Sequence, residues 1–296
     1  MDFAPRKETP KMGDITIIYG EANTHKTTIM ASAIKDAKKG IVIPIGEDSI
    51  GKLQTDRSYG DLKDVEVLNQ TIKTWRKHSS FDGDVETVNI NAGLIDVCGW
   101  LSKQDYTAIG FDSLSLIGQA LLQYTFQTNF IDLNTKGKSI AELQNHADGF
   151  GGSPLMKPAL KEWQTFLRFL TMMREKGVDI FITCHTKEAK ARLLGDELEY
   201  NRVEMDFPSC KGVDFGNSLL IVSDATLYAE RSSTVFRGDK VNSAKLASAP
   251  ILHVTSTSYY DAKNRFMQTE PIDATWEAVK GMLTGEIAEQ KKEGGF

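Results

Sequence analysis

The sequence predicts an α/β fold: a mostly parallel central sheet flanked by helices, with antiparallel strands toward the C-terminus. Three observations carry this. Apolar, β-branched runs at Ile15–Gly20, Ile41–Ile45, Tyr106–Asp112 and Val178–His185 alternate with helix-like stretches, the pattern of a doubly wound sheet buried on both faces. The first run leads directly into a loop and helix of phosphate-binding type. From residue 218 onward, short strand-like segments follow one another with polar turns between them.

The first element is Ile15-Thr-Ile-Ile-Tyr-Gly20, then Glu21, Ala22, Asn23, Thr24 and His25, then Lys26-Thr27-Thr28 and a helix-like run to Lys39. This is the strand, loop and helix of a P-loop. Such a loop turns backbone N–H groups toward phosphate oxygens, and the helix N-terminus adds positive potential. Residues Gly20 to Thr28 are therefore the candidate phosphate-binding segment. Lys26 is placed to reach the β- and γ-phosphates and the Thr27 hydroxyl to hold Mg²⁺. The motif departs from its usual form at one position, because His25 stands where a second Gly belongs. Gly is favoured there for its tolerance of positive φ, which His adopts at a cost. The alternative is a decayed or accidental P-loop; strand, loop and helix all falling where the motif needs them argue against it.

Composition narrows the class. With 41% hydrophobic and 25% charged residues the chain has the make-up of a soluble globular protein. No apolar run is long enough to span a bilayer, and the first residues lack the apolar core of a signal peptide. Cys98, Cys184 and Cys210 are scattered, which favours free thiols in a reducing cytoplasm over disulfides or zinc. A net charge of −5 argues against nucleic-acid binding by bulk charge but leaves room for a local basic strip.

Along the chain, residues 1–12 read as a loose arm, 13–285 as one domain with an irregular insertion at about 124–156, and 286–296 as a frayed tail. Helix formers from Thr28 to Lys38 end at Gly40, read as a helix stop. Pro44 is awkward in the next strand because it cannot donate to a ladder. Gly46-Glu47-Asp48-Ser49 follows that strand, on the rim where open parallel sheets bind ligands; a plain surface turn is the other reading. Asp64 to Leu68 reads as a further strand. Lys73, Trp75, Arg76, Lys77 and His78 form a basic cluster with an aromatic, read as a solvated face with one packed Trp rather than a nucleic-acid contact.

Val85 to Lys103 has helical spacing. The strand ending in Asp112-Ser113 supplies the acid expected opposite a P-loop to orient Mg²⁺. Pro158 to Lys176 is the clearest helix, with Leu160, Trp163, Leu167 and Leu170 as a core stripe and Gly177 as its end. The strand at Val178 ends in Thr183-Cys184-His185, where His185 reads either as a sensor of the γ-phosphate or as a solvated strand end. A charged stretch follows, with Lys187, Lys190 and Arg192. Ser218 to Glu230 reads as strand-like, Thr234–Phe236 and Ile251–Thr255 as strands, and Trp276 to Leu283 as a closing helix.

Taken together, the P-loop, the strand before Glu47, Asp112-Ser113, His185 and the late Lys263-Asn264-Arg265-Phe266 resemble the RecA-like branch of P-loop ATPases. More closely, the chain resembles phage-encoded AAA-type nucleotide-binding proteins tied to phage recombination and single-strand annealing. The similarity runs from about Gly13 to Leu283. It implies a RecA-like P-loop NTPase core that uses ATP and Mg²⁺, with Thr27 and Asp112 on the metal side. It implies Glu47 as the base that activates water, and it puts the polar γ-phosphate sensor at Thr183-Cys184-His185, with His185 the candidate. Should Glu47 not be the base, Asp48 is the first alternative. The stretch holding Lys187, Lys190 and Arg192 takes the place of a mobile DNA-contacting loop. Lys263 and Arg265 are similar to the Lys-x-Arg finger that such ATPases insert into a neighbour's site, with Met267 where a related motif has Gly. Expected partners are single-stranded DNA, further copies of the chain in a ring or filament, and phage recombination proteins, in the cytoplasm of the infected cell and away from membranes. The competing expectation is a nucleotide-binding interaction module with little or no turnover.

Overall fold

The computed structural model describes residues 11–46, 51, 62–76, 92–129, 156–192, 199–210, 213–231, 233–237, 242–246 and 249–286. The fold class is the one the sequence predicts. An eight-stranded sheet is built on five parallel strands: β1 (Ile15–Gly20), β2 (Gly40–Pro44), β3 (Ala108–Asp112), β4 (Asp179–Cys184) and, late in the chain, Ala225–Glu230. Their spatial order runs from Ala225–Glu230 through β1, β4 and β3 to β2. Three short antiparallel strands, Ile251–His253, Lys263–Asn264 and Ile272–Asp273, extend the sheet beyond Ala225–Glu230.

The sheet is buried on both faces, which is why its parallel strands read as unbroken apolar runs. Ile15, Ile17 and Tyr19 of β1 face one layer of helices with Ile109, Phe111, Ile180 and Ile182. That layer comprises α2 (Leu94–Leu101), α3 (Ile117–Asn129) and α4 (Met156–Glu175), whose Trp163, Phe166 and Leu170 are fully buried. Ile18, Val42, Ala108 and Phe181 face the other side, where α1 (Lys26–Asp36) and the closing helix Trp276–Thr284 pack. Helix α4 ends as expected at Gly177, which takes a left-handed φ of 84°.

Several expectations are revised. Helix α1 ends at Asp36 with Ala37 extended, and Gly40 opens β2 instead of stopping the helix. Pro44 is accommodated because β2 lies at the sheet edge. Among the described residues its outer neighbour bridges it at Val67 and Ile72, gaining two residues against β2 between those bridges (67 to 72 against 42 to 45). The ladder thus bulges past the nitrogen that cannot donate. The expected strand at Asp64 to Leu68 is this single bridge at Val67. Residues 117–129 form one helix, so the stretch from 124 begins helical; 130–155 lie outside the described residues. The run from Ser218 is split: α5 (Phe215–Val222) is a helix capped by Asp214, whose side chain accepts the Asn217 N–H at 2.9 Å, and the strand starts only at Ala225.

After β4 the chain leaves the sheet as a separate hairpin, β5 (Thr186–Arg192) with β6 (Glu199–Met205). A second isolated hairpin pairs Ser233–Arg237 with Asn242–Leu246, and Ser209–Cys210 pairs with Val213–Asp214.

Candidate nucleotide-binding site

Gly20 is where strand becomes loop, and it packs level with Ala229 of the neighbouring strand. A Cβ there would meet the Ala229 carbonyl oxygen at 2.2 Å, so no other residue fits this close approach. In the loop that follows, Asn23 and His25 both take φ of 62°. His25 therefore adopts the left-handed backbone that the usual Gly would supply, with its imidazole exposed and making no cap to α1. Thr24 closes the loop by donating its hydroxyl to the Glu21 carbonyl at 2.8 Å.

Lys26 opens α1 and is 7% exposed. Its ammonium donates to the Gly20 carbonyl at 2.8 Å, to the Glu21 carbonyl, and to the Thr24 hydroxyl at 3.4 Å. Burial pulls its pKa down to about 8, a shift that the nearby Asp112 carboxylate partly offsets. Next in sequence, Thr27 turns its hydroxyl to both oxygens of Asp112, at 3.1 and 3.2 Å. Thr28 is half-buried in the same first turn.

The strand order brings Asp112 here, because β4 lies between β1 and β3 and the C-terminal ends of all three converge. Thr183 on β4 donates its hydroxyl to Oδ1 of Asp112, and Ser113 donates to the Thr183 carbonyl at 3.4 Å. His185 follows, with an exposed side chain and a backbone N–H held by the Ser115 hydroxyl at 2.9 Å. Between them Cys184 is fully buried, and burial pushes its thiol pKa well up, so it stays neutral.

The donor set fits the expected groups. A hydroxyl and a carboxylate side by side are hard oxygen ligands of the number Mg²⁺ takes from protein, the remainder coming from water and phosphate. Among the described residues no group of three or more His, Cys, Asp or Glu could hold a metal by itself. Lys26 and the N-terminus of α1 bring positive charge to this rim, the character a triphosphate would require.

The structure thus gathers Gly20 to Thr28, Asp112 and His185 on one rim. Glu47 and Asp48 lie outside the described residues. Lys263 and Arg265 are at the other end of the sheet: Asn264 pairs with Ala225, which is level with Thr16, whereas Gly20 is level with Ala229. Four residues of strand at about 3.3 Å each separate the two levels by roughly 13 Å. There the Lys263 ammonium caps α5, donating to the carbonyls of Leu220, Ile221 and Ser223 at 2.9, 3.2 and 2.7 Å. The Asn264 side chain accepts from the N–H groups of Phe266 and Gln268, and Met267 between them keeps φ of 61°. Met267 thus preserves the turn that a Gly would give.

The basic residues of β5 are engaged within the hairpin. Lys190 and Arg192 share a face and both meet Glu199 of β6, at 3.9 and 3.1 Å. Lys187 lies on the other face and donates to the Phe207 carbonyl. In the earlier basic cluster Trp75 is buried and Arg76 pairs with Glu162 at 2.8 Å, in keeping with a packed Trp; Lys77 and His78 lie outside the described residues. The sequence shows Thr183 only as part of the polar end of an apolar strand; its bond to Asp112 comes from the strand order.

No family model matches the chain, and no curated protein matches it. Among solved structures it is similar to a KaiC-like protein from the hyperthermophilic archaeon Pyrococcus horikoshii OT3, at 9% identity and a TM-score of 0.37, over 88% of this chain and 84% of that one. It is also similar to the RadB recombinase, at 13% identity and a TM-score of 0.37, over 85% of this chain and 91% of that one. At these values neither likeness bears on what this chain binds or does. No helix among the described residues is long and apolar enough to cross a membrane.

Proposed function

We propose that the chain is a RecA-like P-loop ATPase that binds ATP with Mg²⁺, hydrolyses it, and acts on single-stranded DNA in recombination or annealing. The observation that carries the nucleotide reading is the meeting of Thr27 and Asp112 beside the buried Lys26. With Thr183 of β4 also on Asp112, three segments far apart in sequence converge on one small polar cluster at the end of an otherwise apolar sheet. Such clusters are costly unless they serve a purpose.

In this reading the loop N–H groups and Lys26 hold the triphosphate and neutralise charge on its transferring group. Thr27 and Asp112 would hold Mg²⁺, which supplies Lewis-acid stabilisation of phosphate oxygens. Glu47 takes the proton of the attacking water, and His185 donates toward the γ-phosphate from the end of β4. Lys263 and Arg265 complete the site from a neighbouring subunit in a ring or filament, since they stand away from the P-loop of their own chain. The hairpin after His185 carries the proposed DNA contact at Lys187, Lys190 and Arg192. The setting in phage recombination, with phage recombination proteins as partners, rests on the motif series alone.

His25 supports a second reading, a nucleotide-dependent interaction module with little turnover, because it holds a backbone conformation that Gly adopts without strain. One measurement separates the two: ATP hydrolysis by the purified chain with and without single-stranded DNA. Hydrolysis stimulated by DNA supports the ATPase. Tight ATP binding without turnover in either condition supports the module, and no ATP binding at all overturns both.

A further inference from the structure

We propose that Thr183 is the positioning residue for Asp112, fixing the carboxylate that faces Thr27 and so setting the affinity of the site for Mg²⁺. This role rests on the nucleotide-site reading above and deepens it. Strand β4 lies between the P-loop strand and the Asp112 strand, and Phe111 pairs with Ile182. The next residues of the two strands, Asp112 and Thr183, therefore stand side by side. Both are almost fully buried, at 2% and 1% exposure.

A threonine hydroxyl has one proton to donate. In Thr183 it goes to Oδ1 of Asp112. The hydroxyl is thus directed at the metal-side carboxylate, and a γ-phosphate contact from this strand end falls to His185. Thr183 is well suited to hold a carboxylate still. It is β-branched and so stiff at χ1, and Ser113 pins its carbonyl from the adjoining strand. The same carboxylate meets Thr27 through both oxygens. Asp112 is held between two hydroxyls, one from the P-loop helix and one from β4. Removing the second takes away the hydrogen bond that orients the carboxylate from the β4 side, and its lone pairs then converge less well with the Thr27 oxygen on one point. Partners that orient metal-side ligands in this way are commonly worth about 10- to 100-fold in metal affinity.

The test titrates Mg²⁺ into the full chain with a fluorescent ATP analogue, and repeats analogue binding in EDTA. Thr183→Val keeps the shape and removes the hydroxyl; Thr183→Ser keeps the hydroxyl. The Val variant is expected to need at least about 10-fold more Mg²⁺ for half-saturation, while its affinity in EDTA stays within about twofold of wild type and Ser behaves as wild type. In an Asp112→Asn background the Val substitution should add less than about twofold, because the two residues act as one unit. Should Val prevent cooperative folding, Thr183→Ala against Thr183→Ser gives the same contrast. An unchanged Mg²⁺ requirement, an equal loss in EDTA, or full additivity with Asp112→Asn overturns the role. So does a wild type that binds the analogue equally well with and without Mg²⁺, although the nucleotide site itself then stands. A wild type that binds no analogue in any condition removes the nucleotide reading and this role together.

Discussion

Arg265 is held by a carboxylate of its own subunit: its Nη1 lies 2.7 Å from Oδ1 of Asp224, which is 3% exposed. The same oxygen takes Arg174 at 3.0 Å, and Oδ2 accepts the Ile15 N–H at 3.0 Å. Asp224 thus ties the start of β1 and the end of α4 to the Lys263–Arg265 segment. Replacing it with Asn removes the carboxylate that both guanidinium groups meet, and we expect a loss of about 3 kcal/mol. Arg265→Ala should cost less, about 1 kcal/mol, because Arg265 is half exposed and Arg174 remains on the carboxylate. Urea unfolding of both variants checks the order; equal losses would show that Arg265, not Asp224, is the centre of the clamp.

Lys26 gives a pH dependence with a definite sign. Burial lowers its folded pKa from 10.5 to about 8, so between these values the unfolded chain binds more protons than the folded one. This group's contribution to stability therefore rises with pH across that window, and the cost of burying its charge is fully present below about 8. A bound triphosphate favours the charged form. Nucleotide affinity should then fall as pH rises through about 8, by at most about tenfold per pH unit, with proton uptake on binding. Calorimetric titrations from neutral to alkaline pH, in buffers of different ionisation heat, test this. Lys26→Ala should lose tight binding altogether and also lose the rise in stability. Affinity unchanged across the window would show that Lys26 does not meet the phosphates.

Much of this site could be read from local pattern. Gly20, Lys26, Thr27 and Asp112 each sit at a strand end or helix start whose signals lie within a few residues. What could not be read depends on which strands become neighbours. Thr183 meets Asp112 only because β4 inserts between β1 and β3. Asp224 meets Ile15 and Arg174 across the same tertiary arrangement. Likewise Lys190 and Arg192 look like a bare basic strip until the hairpin register sets Glu199 beside them. Phe215–Val222 was open to misreading for another reason: a short apolar run fits a buried strand and a buried helix equally. Asp214, which caps that helix, was its local signal.

His25 tests whether the departure from the usual loop is tolerated or used. A left-handed residue other than Gly carries strain of about 1 kcal/mol or more, and the exposed imidazole makes no cap that offsets it. His25→Gly relieves the strain, while the added freedom of the unfolded chain takes back about 0.4–1 kcal/mol. We expect stability unchanged or raised by up to about 1 kcal/mol, and hydrolysis equal or faster. Chemical unfolding and steady-state ATPase rates measure the two effects. A large fall in rate with stability intact would mean that the imidazole itself touches phosphate or a partner.

The proposed intersubunit site makes the last prediction. Arg265 lies at the strand starts and the P-loop at the strand ends, so one chain cannot readily bring its own Arg265 to its own nucleotide. Two copies stacked head to tail can do so, and a heterologous contact of that kind propagates into a ring or filament. Reaching a neighbour's phosphate would require Arg265 to exchange Asp224 for it. Arg174 is already on that carboxylate and can keep it paired. A guanidinium delivered to the transition state in this way can contribute several kcal/mol, on the order of 10³-fold or more in rate. Arg265→Ala protein has an intact P-loop, and Lys26→Ala protein has an intact finger. Each alone should lose most activity, and an equimolar mixture should recover about a quarter of wild-type activity if neighbours pair at random, since about half the contacts are mixed and only one of the two mixed orderings joins an intact P-loop to an intact finger. Steady-state ATPase assays on the mixture, with co-assembly verified by light scattering, decide the matter. Absence of recovery in a demonstrated co-assembly would leave Arg265 as part of the Asp224 clamp alone.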